Sequence, residues 1–394
     1  MEHNMKIYEI GTGYTPIPAQ MGAATEIVVE ELVRSFGKCG ADVTLLDIKA
    51  TDRPATDLPI EEVAVPGCFT GTDVKLGIMH KLKRVVYSVA LAGKLQKILK
   101  AATEPVVLHF HNQYNLYFFY KLTSKALRSK AKIAYTVHSY IWPAEWEEIK
   151  DTVQKRYFQE IFCVQNADLV FVLNDKTAEH FVNHLGVEES RIFKVGNGVN
   201  TDTYAPLNAD EIDAFKASID LDGKQLLLQV GSVCDRKNQL GAAQMLATYL
   251  KNNPDTVYAY AGGVIDPEYQ AQIEAFAAEN GISDQVRYLG ELCPGKELNR
   301  YYNAADLMLF PSKLESFGLV IIESLSAGTP VALSQQPLFA LAEGITICPD
   351  SEAFLQAVEK ALATPAKALQ AREEVRKTYS WDKIARDHLE LFSR

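Results

Sequence analysis

The 394-residue sequence lacks the usual marks of disulfide-bonded, zinc-binding and membrane-spanning proteins. Its six cysteines are scattered and form no Cys-x-x-Cys pair, so we predict neither a zinc site nor a disulfide framework, and a reducing compartment fits. No apolar run is long enough to cross a bilayer, and the first residues, MEHNMKIYEIGTG, lack a secretory signal pattern. We therefore expect a soluble, cytoplasmic protein.

Acidic side chains are almost absent from one stretch of an otherwise acidic chain. The formal net charge is −10, which argues against general nucleic-acid binding. Between Lys75 and Lys132, however, twelve lysines and arginines accompany a single acid, Glu104. Two interpretations of this basic 75–132 block stay open: contact with an anionic membrane or substrate, and a solvated helical face balanced elsewhere in the fold.

Short apolar runs alternate with helical patterns along the whole chain. Strands are predicted at 6–10, 42–46, 106–110, 133–137, 169–173 and 192–195, and then at 225–230, 257–261, 286–289, 307–310, 330–333 and 345–348. Between the two sets lies NGVNTDTYAPLNADE, whose turn formers indicate an interdomain connection. This pattern predicts an α/β protein with two doubly wound parallel sheets and a cleft between them, followed by an amphipathic helix at 381–392.

Two loops after predicted strands have features of anion-binding sites. The first contains Gly11, Gly13 and Gly22, and lets backbone amides approach an anion near a helix start, although glycine there often reflects turn geometry alone. The second, VGSVCDRKNQL, places Arg236 and Lys237 where the next helix opens, so that charge and backbone donors converge on a diphosphate. Without further context, an Arg-Lys pair in a loop is more often an ordinary pair of surface residues.

A third loop, in KLESFGLVIIE, contains two glutamates eight positions apart. Glu315 is predicted in the loop after strand 307–310, and Glu323 just beyond the first turn of the next helix. Both carboxylates could accept hydrogen bonds from sugar and ribose hydroxyls, while the amides of Phe317, Gly318 and Leu319 hold phosphate.

Three histidines and two tryptophans follow apolar strands. His138 has the strongest functional case, His111 is expected at a binding cleft, and His109 is expected to be buried. Trp142 and Trp146 could line an acceptor site or fasten a loop to the core. We assign no metal, because the one Asp-x-Asp spacing, at 220–222, lies in a predicted surface turn.

Taken in order, the motifs resemble the retaining glycosyltransferases of family 4, which have the GT-B fold. ESFGLVIIE resembles their Glu-x7-Glu motif, and the similarity runs along nearly the whole chain through QMGAATE, HFH, YTVHSY, VGNGVNTDTYAP, VGSVCDRKN, YAGG, VRYLGEL, YYNAADLMLFPS and SWDKIARDHLE. The resemblance implies two Rossmann-like domains facing a central cleft. It assigns residues 1–204 plus 380–394 to acceptor binding and residues 205–379 to donor binding, with the final helix crossing back to the first domain.

The resemblance also implies individual roles. Glu315 would contact donor-sugar hydroxyls and Glu323 the ribose; Lys237 would bind the leaving phosphate, His138 would lie beside the sugar and acceptor, and Gly22 would close over the diphosphate. The rest of the implied donor-binding set is Gly231, Ser232, Ser316, Phe317, Gly318 and Leu319. Many members have arginine at the position of Ser232, so we expect Arg236 to supply the second positive charge.

The implied activity is transfer of a hexose or N-acetylhexosamine from a UDP-sugar to an acceptor hydroxyl, with retention and without metal or cofactor. The expected setting is cell-surface polysaccharide or glycolipid assembly on a saccharide or lipid-linked acceptor. The basic 75–132 block would contact the inner membrane face, and no nucleic acid is involved. Two alternatives stay open: a non-catalytic partner subunit of an active transferase, and a GT-B sugar-nucleotide epimerase.

Overall fold

The computed structural model describes residues 5–19, 24–70, 78–334, 343–364 and 366–394. The described chain divides into two compact units. Unit 1 comprises the described residues up to Asn197 together with Trp381–Arg394, and unit 2 comprises those of Gly198–Ser380. The predicted division lies after residue 204. Unit 2 begins earlier because Tyr204 is buried there, where its ring lies 5.9 Å from that of Tyr302 and its carbonyl accepts from the Ser326 hydroxyl at 2.6 Å.

Unit 1 is built around a parallel sheet, which has seven strands in its described residues. In chain order they are β1 (Lys6–Ile10), β2 (Asp42–Ile48), β3 (Ile60–Val63), β4 (Val106–Phe110), β5 (Ala131–Thr136), β6 (Leu169–Val172) and β7 (Ile192–Lys194). The order across the sheet is β3-β2-β1-β4-β5-β6-β7, so the direction in which strands are added reverses between β1 and β4.

Helices cover this sheet through apolar stripes. They are α1 (Ala24–Lys38), α2 (Ile78–Ala101), α3 (Gln113–Leu122), α4 (Lys125–Arg128), α5 (Trp146–Arg156), α6 (Phe158–Asn166) and α7 (Asp175–Leu185). On α1, for example, Val29, Leu32, Val33 and Phe36 are buried at helical spacing, as the sequence predicts. Polar caps fix several helix starts: Asn112, at the start of α3, accepts from the Tyr114 amide at 2.9 Å.

Unit 2 contains a second parallel sheet, with six strands among the described residues. These are β8 (Gln225–Val230), β9 (Thr256–Ala261), β10 (Val286–Tyr288), β11 (Leu307–Phe310), β12 (Val331–Leu333) and β13 (Ile345–Ile347). Its helices are α8 (Ala209–Ser218), α9 (Gln239–Asn252), α10 (Pro267–Glu279), α11 (Lys296–Ala304), α12 (Leu319–Ser326), α13 (Ser351–Ala363) and α14 (Leu369–Thr378). The order β10-β9-β8-β11-β12-β13 reverses between β8 and β11.

The last helix, α15 (Trp381–Phe392), belongs to unit 1, which confirms the predicted return of the chain. It packs against α1, where the rings of Phe36 and Phe392 lie 6.0 Å apart. The Phe392 carbonyl accepts a hydrogen bond from the Lys132 ammonium at 3.0 Å. The predicted fold class is therefore confirmed at the level of two doubly wound parallel sheets, and open sheets of this kind bind ligands where the strand order reverses.

Candidate active site

Three predicted site residues meet at the carboxyl ends of β8 and β11, where the strand order of the second sheet reverses. The Glu315 Oε1 atom lies 2.7 Å from Arg236 Nη1 and 2.7 Å from Lys237 Nζ. The same Arg236 nitrogen also donates to the Leu314 carbonyl at 2.9 Å. Two cations thus share one carboxylate. The three side chains together carry a net positive charge, which can attract a polyanion.

Backbone geometry brings Lys237 to this position. Gly231, the first residue after β8, has φ +152°, and a Cβ atom there would lie 3.1 Å from Lys237 Cε. Glycine therefore lets the lysine stem lie against the chain. From the other side, the Gln229 amide donates to the Lys237 carbonyl at 2.8 Å, and the Tyr258 hydroxyl donates to the Gln229 side chain at 2.6 Å. The lysine is thus held by residues of β8 and β9.

The Lys237 ammonium is more easily deprotonated than an exposed lysine. Burial lowers its pKa, and the neighbouring Glu315 carboxylate offsets part of that effect. Its Nζ atom also lies 5.3 Å from the centroid of the Phe310 ring. An arriving phosphate would stabilise the ammonium form in the same way as Glu315 does.

The start of α12 lies beside this cluster and has no side-chain cap. Gly318 precedes the helix with φ +94°, and a Cβ atom there would come within 2.8 Å of Ile321 Cδ1. Phe317 is buried, and its ring lies 6.0 Å from that of Tyr379. Leu319 is the first helical residue, and Ser316 lies in the loop before Phe317. A helix start of this kind favours anionic groups.

Glu323, inside α12, has surroundings quite unlike those of Glu315. Its Oε2 atom accepts from the Tyr302 hydroxyl at 2.8 Å, and the Tyr204 hydroxyl is a second donor. Although the side chain is partly exposed, protein atoms surround the carboxyl group. Burial raises its pKa to about 7, in spite of the opposing hydrogen bonds from the two tyrosines. Sequence reasoning missed both tyrosines, because no local motif links them to the glutamate.

In unit 1, three histidines and a buried glutamate meet at the ends of β1, β4 and β5. Glu9 bonds to His109 Nδ1 and His111 Nε2, both at 2.7 Å, and His111 Nδ1 lies 3.0 Å from His138 Nε2. His109 is fully buried, as predicted, whereas His111 is 4% exposed and so is buried as well. Sequence reasoning missed Glu9. The available signal was an acid inside a strand, KIYEI, that otherwise reads as apolar.

Within the described ranges, Glu9, His109 and His111 are the one set of three side chains whose ligand atoms could together hold a metal ion. His109 Nδ1 and His111 Nε2 are each already within hydrogen-bond distance of a Glu9 oxygen. The same three groups can therefore form either a hydrogen-bonded chain or a ligand set, and the two arrangements require protons on different nitrogens.

The first glycine loop is described only in part. Gly22 lies outside the described residues, and its predicted role stays a prediction. Gly11 follows β1, and its carbonyl accepts from the Asn115 side chain at 3.0 Å and from the Tyr87 hydroxyl at 3.2 Å. Ser232 follows Gly231, and its carbonyl accepts from the Gln239 side chain at 3.0 Å.

The structure also places the remaining candidates. Trp142 is fully buried and donates to Glu160 at 2.8 Å, which makes it a core residue. Trp146 stacks on His184 with ring centroids 4.3 Å apart. In the basic 75–132 block, Lys83 is only 3% exposed and donates to the Tyr14 carbonyl at 3.1 Å, so its side chain does not lie on an exposed face.

Comparison with known proteins identifies two adjacent domains. Residues 25–203 match the family described as Glycosyltransferase Family 4, and residues 211–378 match Glycosyl transferases group 1. The D-inositol 3-phosphate glycosyltransferase of Mycobacterium sp. (strain KMS) is 34% identical over 188 residues, which cover 46% of this chain and 41% of that relative. The alignment thus spans less than half of the relative's length.

Solved structures show a similar fold at low sequence identity. The sucrose-phosphate synthase of Thermosynechococcus elongatus has a TM-score of 0.75 and 21% identity, with coverage of 99% of this chain and 98% of that one. HepE of Anabaena, solved in complex with UDP and glucose, has a TM-score of 0.71 and 13% identity over 99% of each chain. These similarities show the GT-B fold.

Proposed function

Because the chain consists of a glycosyltransferase family 4 domain followed by a glycosyltransferase group 1 domain, we propose that it is a retaining glycosyltransferase. It transfers a hexose or N-acetylhexosamine from a UDP-sugar to an acceptor hydroxyl in polysaccharide or glycolipid assembly. The observation that carries this proposal is the convergence of Arg236, Lys237 and Glu315 beside the start of α12.

In the proposed donor complex, the diphosphate competes with Glu315 for the two cations. Arg236 and Lys237 then stabilise the charge that develops as the bond between the anomeric carbon and the diphosphate breaks. Once released from the cations, Glu315 accepts hydrogen bonds from sugar hydroxyls, and Glu323 accepts them from the ribose. The amides of Phe317, Gly318 and Leu319, with the loop residues Gly231, Ser232 and Ser316, complete the donor site.

Retention follows if the acceptor attacks the face that the leaving group vacates. The acceptor oxygen bonds to the anomeric carbon, and its proton passes to an oxygen of the departing diphosphate, so that no protein base is consumed. Metal-independent catalysis fits this scheme, because two side-chain cations neutralise the leaving group. UDP is the preferred nucleotide, and the UDP complex of the similarly folded Anabaena protein supports that choice.

We further propose that the acceptor is a saccharide or a lipid-linked saccharide and that α2 contacts an anionic membrane. None of the helices in the described ranges has the length and apolar content needed to cross a bilayer. On α2, however, Met79, Leu82 and Val89 are exposed at helical spacing, and exposed Lys81 lies beside them. Such a face would support peripheral binding at the cytoplasmic membrane surface.

The test is an assay of sugar nucleotides with saccharide acceptors, in which released UDP and the anomeric configuration of the product are both measured. We expect acceptor-dependent UDP release and a product with the donor's configuration. An inverted product would refute retention. A new sugar nucleotide formed without acceptor would instead identify an epimerase, and no turnover of any donor would favour a non-catalytic subunit.

A further inference from the structure

Two histidines at the end of β4 and a glutamate on β1 share one face of the first sheet. His109 belongs to β4 and His111 directly follows it, and alternate residues of an extended chain point to the same side. Glu9 is the register partner of His109 on the neighbouring strand. The three side chains therefore meet, and their ligand atoms all lie within 4.8 Å of one another.

The distances within this set are close to those of a metal site. Glu9 Oε1 lies 2.7 Å from His109 Nδ1, and Glu9 Oε2 lies 2.7 Å from His111 Nε2, so each carboxylate oxygen faces a different ring. Nitrogen and oxygen ligands of zinc lie about 2.0–2.2 Å from the ion, and therefore about 3.0–3.4 Å from one another. Each of the two contacts would lengthen by about 0.3–0.7 Å to admit an ion.

Among the described residues, Glu9 pairs with these two imidazoles and with no lysine or arginine. The side chains of Glu9, His109 and His111 are all fully buried. Removing a carboxylate from water is costly unless a positive charge lies beside it. A divalent cation held by the carboxylate and two neutral imidazoles would supply that positive charge.

Each histidine of the set also has a partner at its outer nitrogen. His109 Nε2 lies 2.7 Å from Thr136 Oγ1, and His111 Nδ1 lies 3.0 Å from His138 Nε2. A metal-bound imidazole almost always donates its other N–H group to a neighbouring acceptor, which fixes the orientation of the ring. With lone pairs on the two nitrogens that face Glu9, the outer N–H groups would donate to Thr136 Oγ1 and His138 Nε2. One arrangement of protons thus satisfies both the ion and the surrounding hydrogen bonds.

We propose that Glu9, His109 and His111 bind one divalent transition-metal ion, most readily zinc, which fastens β4 to β1. Imidazole and carboxylate ligands together suit zinc, whereas magnesium and calcium take oxygen ligands. Because the side chains of the set are fully buried, a substrate has no access to the ion, and its role is structural. The proposal stands apart from the function proposed above, whose chemistry needs no metal.

The first experiment measures the metal content of the full chain, produced without a polyhistidine tag in medium supplemented with zinc. Native mass spectrometry and elemental analysis should find one zinc ion per chain. Protein from zinc-depleted medium should have a lower Tm, and added zinc should raise it, because a ligand of the folded chain stabilises that chain. A chain that stays free of zinc in the supplemented medium, or a Tm that zinc does not raise, would overturn the proposal.

The positions of the ring protons identify the ligands directly. Long-range proton–nitrogen NMR of the zinc-containing full chain, labelled with ¹⁵N-histidine, should show His109 protonated on Nε2 and His111 protonated on Nδ1. A hydrogen-bonded row without an ion requires the reverse, with protons on the two nitrogens that face the Glu9 carboxylate. This reverse pattern in the zinc-containing protein would place the ion elsewhere and refute the proposal.

A matched pair of glutamine variants separates metal binding from the general loss of a buried charge. Glu9→Gln should lose both the bound ion and the rise in Tm with zinc. Glu160→Gln should keep both, because Glu160 is a buried carboxylate of the same unit that accepts from Trp142 at 2.8 Å and lies outside the set. Zinc bound equally by the two variants would contradict the proposal.

Two further variants keep the test decisive if Glu9→Gln does not fold. Thr136→Val removes the oxygen next to His109 Nε2, and should weaken zinc binding about 10- to 100-fold. His184→Gln controls for adventitious zinc, because His180 and His184 lie four residues apart on α7 with ring centroids 5.5 Å apart. It should leave the ion in place. Zinc binding as tight as in the wild type for Thr136→Val, or loss of the ion in His184→Gln, would overturn the proposal.

Discussion

At the residue scale, the two glutamates of the Glu-x7-Glu stretch have different surroundings. Glu315 contacts two cations, whereas Glu323 contacts the hydroxyl groups of Tyr204 and Tyr302. A general acid and base would need to face one reacting bond. Their surroundings instead fit two separate binding roles, with Glu315 balancing cationic charge and Glu323 accepting hydrogen bonds.

Glu323→Gln should change how stability depends on pH. The folded-state pKa of about 7 is raised above the ordinary value of 4.5, so between these values the folded protein holds a proton that the unfolded chain has lost. The wild-type free energy of unfolding should therefore fall relative to the variant as pH rises through this window. With allowance for partial exposure, we expect a relative change of about 2 kcal/mol.

Urea unfolding of both proteins at pH 4.5 and pH 8 measures this change. Subtracting the free energy of unfolding of the variant from that of the wild type cancels the contribution of every other titrating group that the substitution does not affect. A difference in stability that stays constant across the pH range would show that Glu323 titrates normally.

Loss of either cation should weaken donor use. In the proposed donor complex, Lys237→Ala and Arg236→Ala would each remove a charge-assisted contact to the leaving diphosphate, so kcat/KM for the donor should fall about 10- to 100-fold. Lys313→Ala is the matched control, because this exposed lysine lies in the same loop as Glu315 but pairs with Asp235 at 2.6 Å. Steady-state kinetics decide. Unchanged turnover and donor affinity in Arg236→Ala would remove Arg236 from the site.

Local motifs could predict only part of this site. Glu315, Lys237 and Gly318 belong to short patterns in which the chemistry lies close along the chain. The partners of Glu323 and of Glu9 come from distant elements of the chain, which meet only when the sheets form. Burial, which determines the pKa values, likewise follows from tertiary packing and leaves no local pattern.

At the element scale, strands that are buried on both faces give a clear signal in the sequence. β11 is a continuous apolar run and β4 is apolar except for the buried His109, and the predicted limits of both strands match the observed ones. β3 was not predicted, because its sequence IEEV has two exposed acids and a burial pattern typical of an edge strand. This segment is a strand because it pairs with β2 on one side, and that pairing cannot be seen in the local sequence.

Gly318→Ala should destabilise the start of α12. The backbone at +94° disfavours any Cβ atom, and the new methyl group would lie 2.8 Å from Ile321 and 3.3 Å from Phe310. We expect a loss of about 1–3 kcal/mol in the free energy of unfolding, together with weaker donor binding. Chemical denaturation measures the first effect, and titration calorimetry with UDP measures the second.

The control is Gly93→Ala within α2, where a Cβ atom would meet nothing within 4 Å. Alanine at this helical position should stabilise the protein by about 0.5–1 kcal/mol. If Gly318→Ala were as stable as the control, the backbone strain argued for the start of α12 would be refuted.

The proposed membrane contact should depend on the exposed face of α2. Replacing Lys81, Lys97 and Lys100 with glutamine should weaken binding to vesicles that contain anionic lipid, by about 1 kcal/mol for each charge at low salt. These lysines are exposed, whereas Lys83 is buried and is unsuitable for the test. Vesicle sedimentation with anionic and neutral lipid measures the effect. No binding at low salt, or binding indifferent to these charges, would end the membrane proposal.

At the scale of the whole molecule, each unit has its own parallel sheet and its own hydrophobic core. The sequence could predict two sheets because the alternation of strands and helices restarts after residue 208. It could not place the change of unit, because the turn formers extend over several residues. Contacts formed in the folded protein assign them to unit 2, among them the packing of Tyr204 and the hydrogen bond from the Ala205 amide to Asn299. The predicted roles of the units in acceptor and donor binding stay predictions.

The most direct test of the proposed function is thermal unfolding of the full chain with a panel of nucleotide sugars. A donor present at about 100 times its Kd adds about 2.7 kcal/mol to the free energy of unfolding and raises Tm. We expect the largest rise with a UDP-sugar, smaller rises with ADP-, GDP- and CMP-sugars, and no rise for Lys237→Ala with any of them. If no nucleotide sugar raised the wild-type Tm, or if Lys237→Ala responded like the wild type, the donor site described here would be wrong.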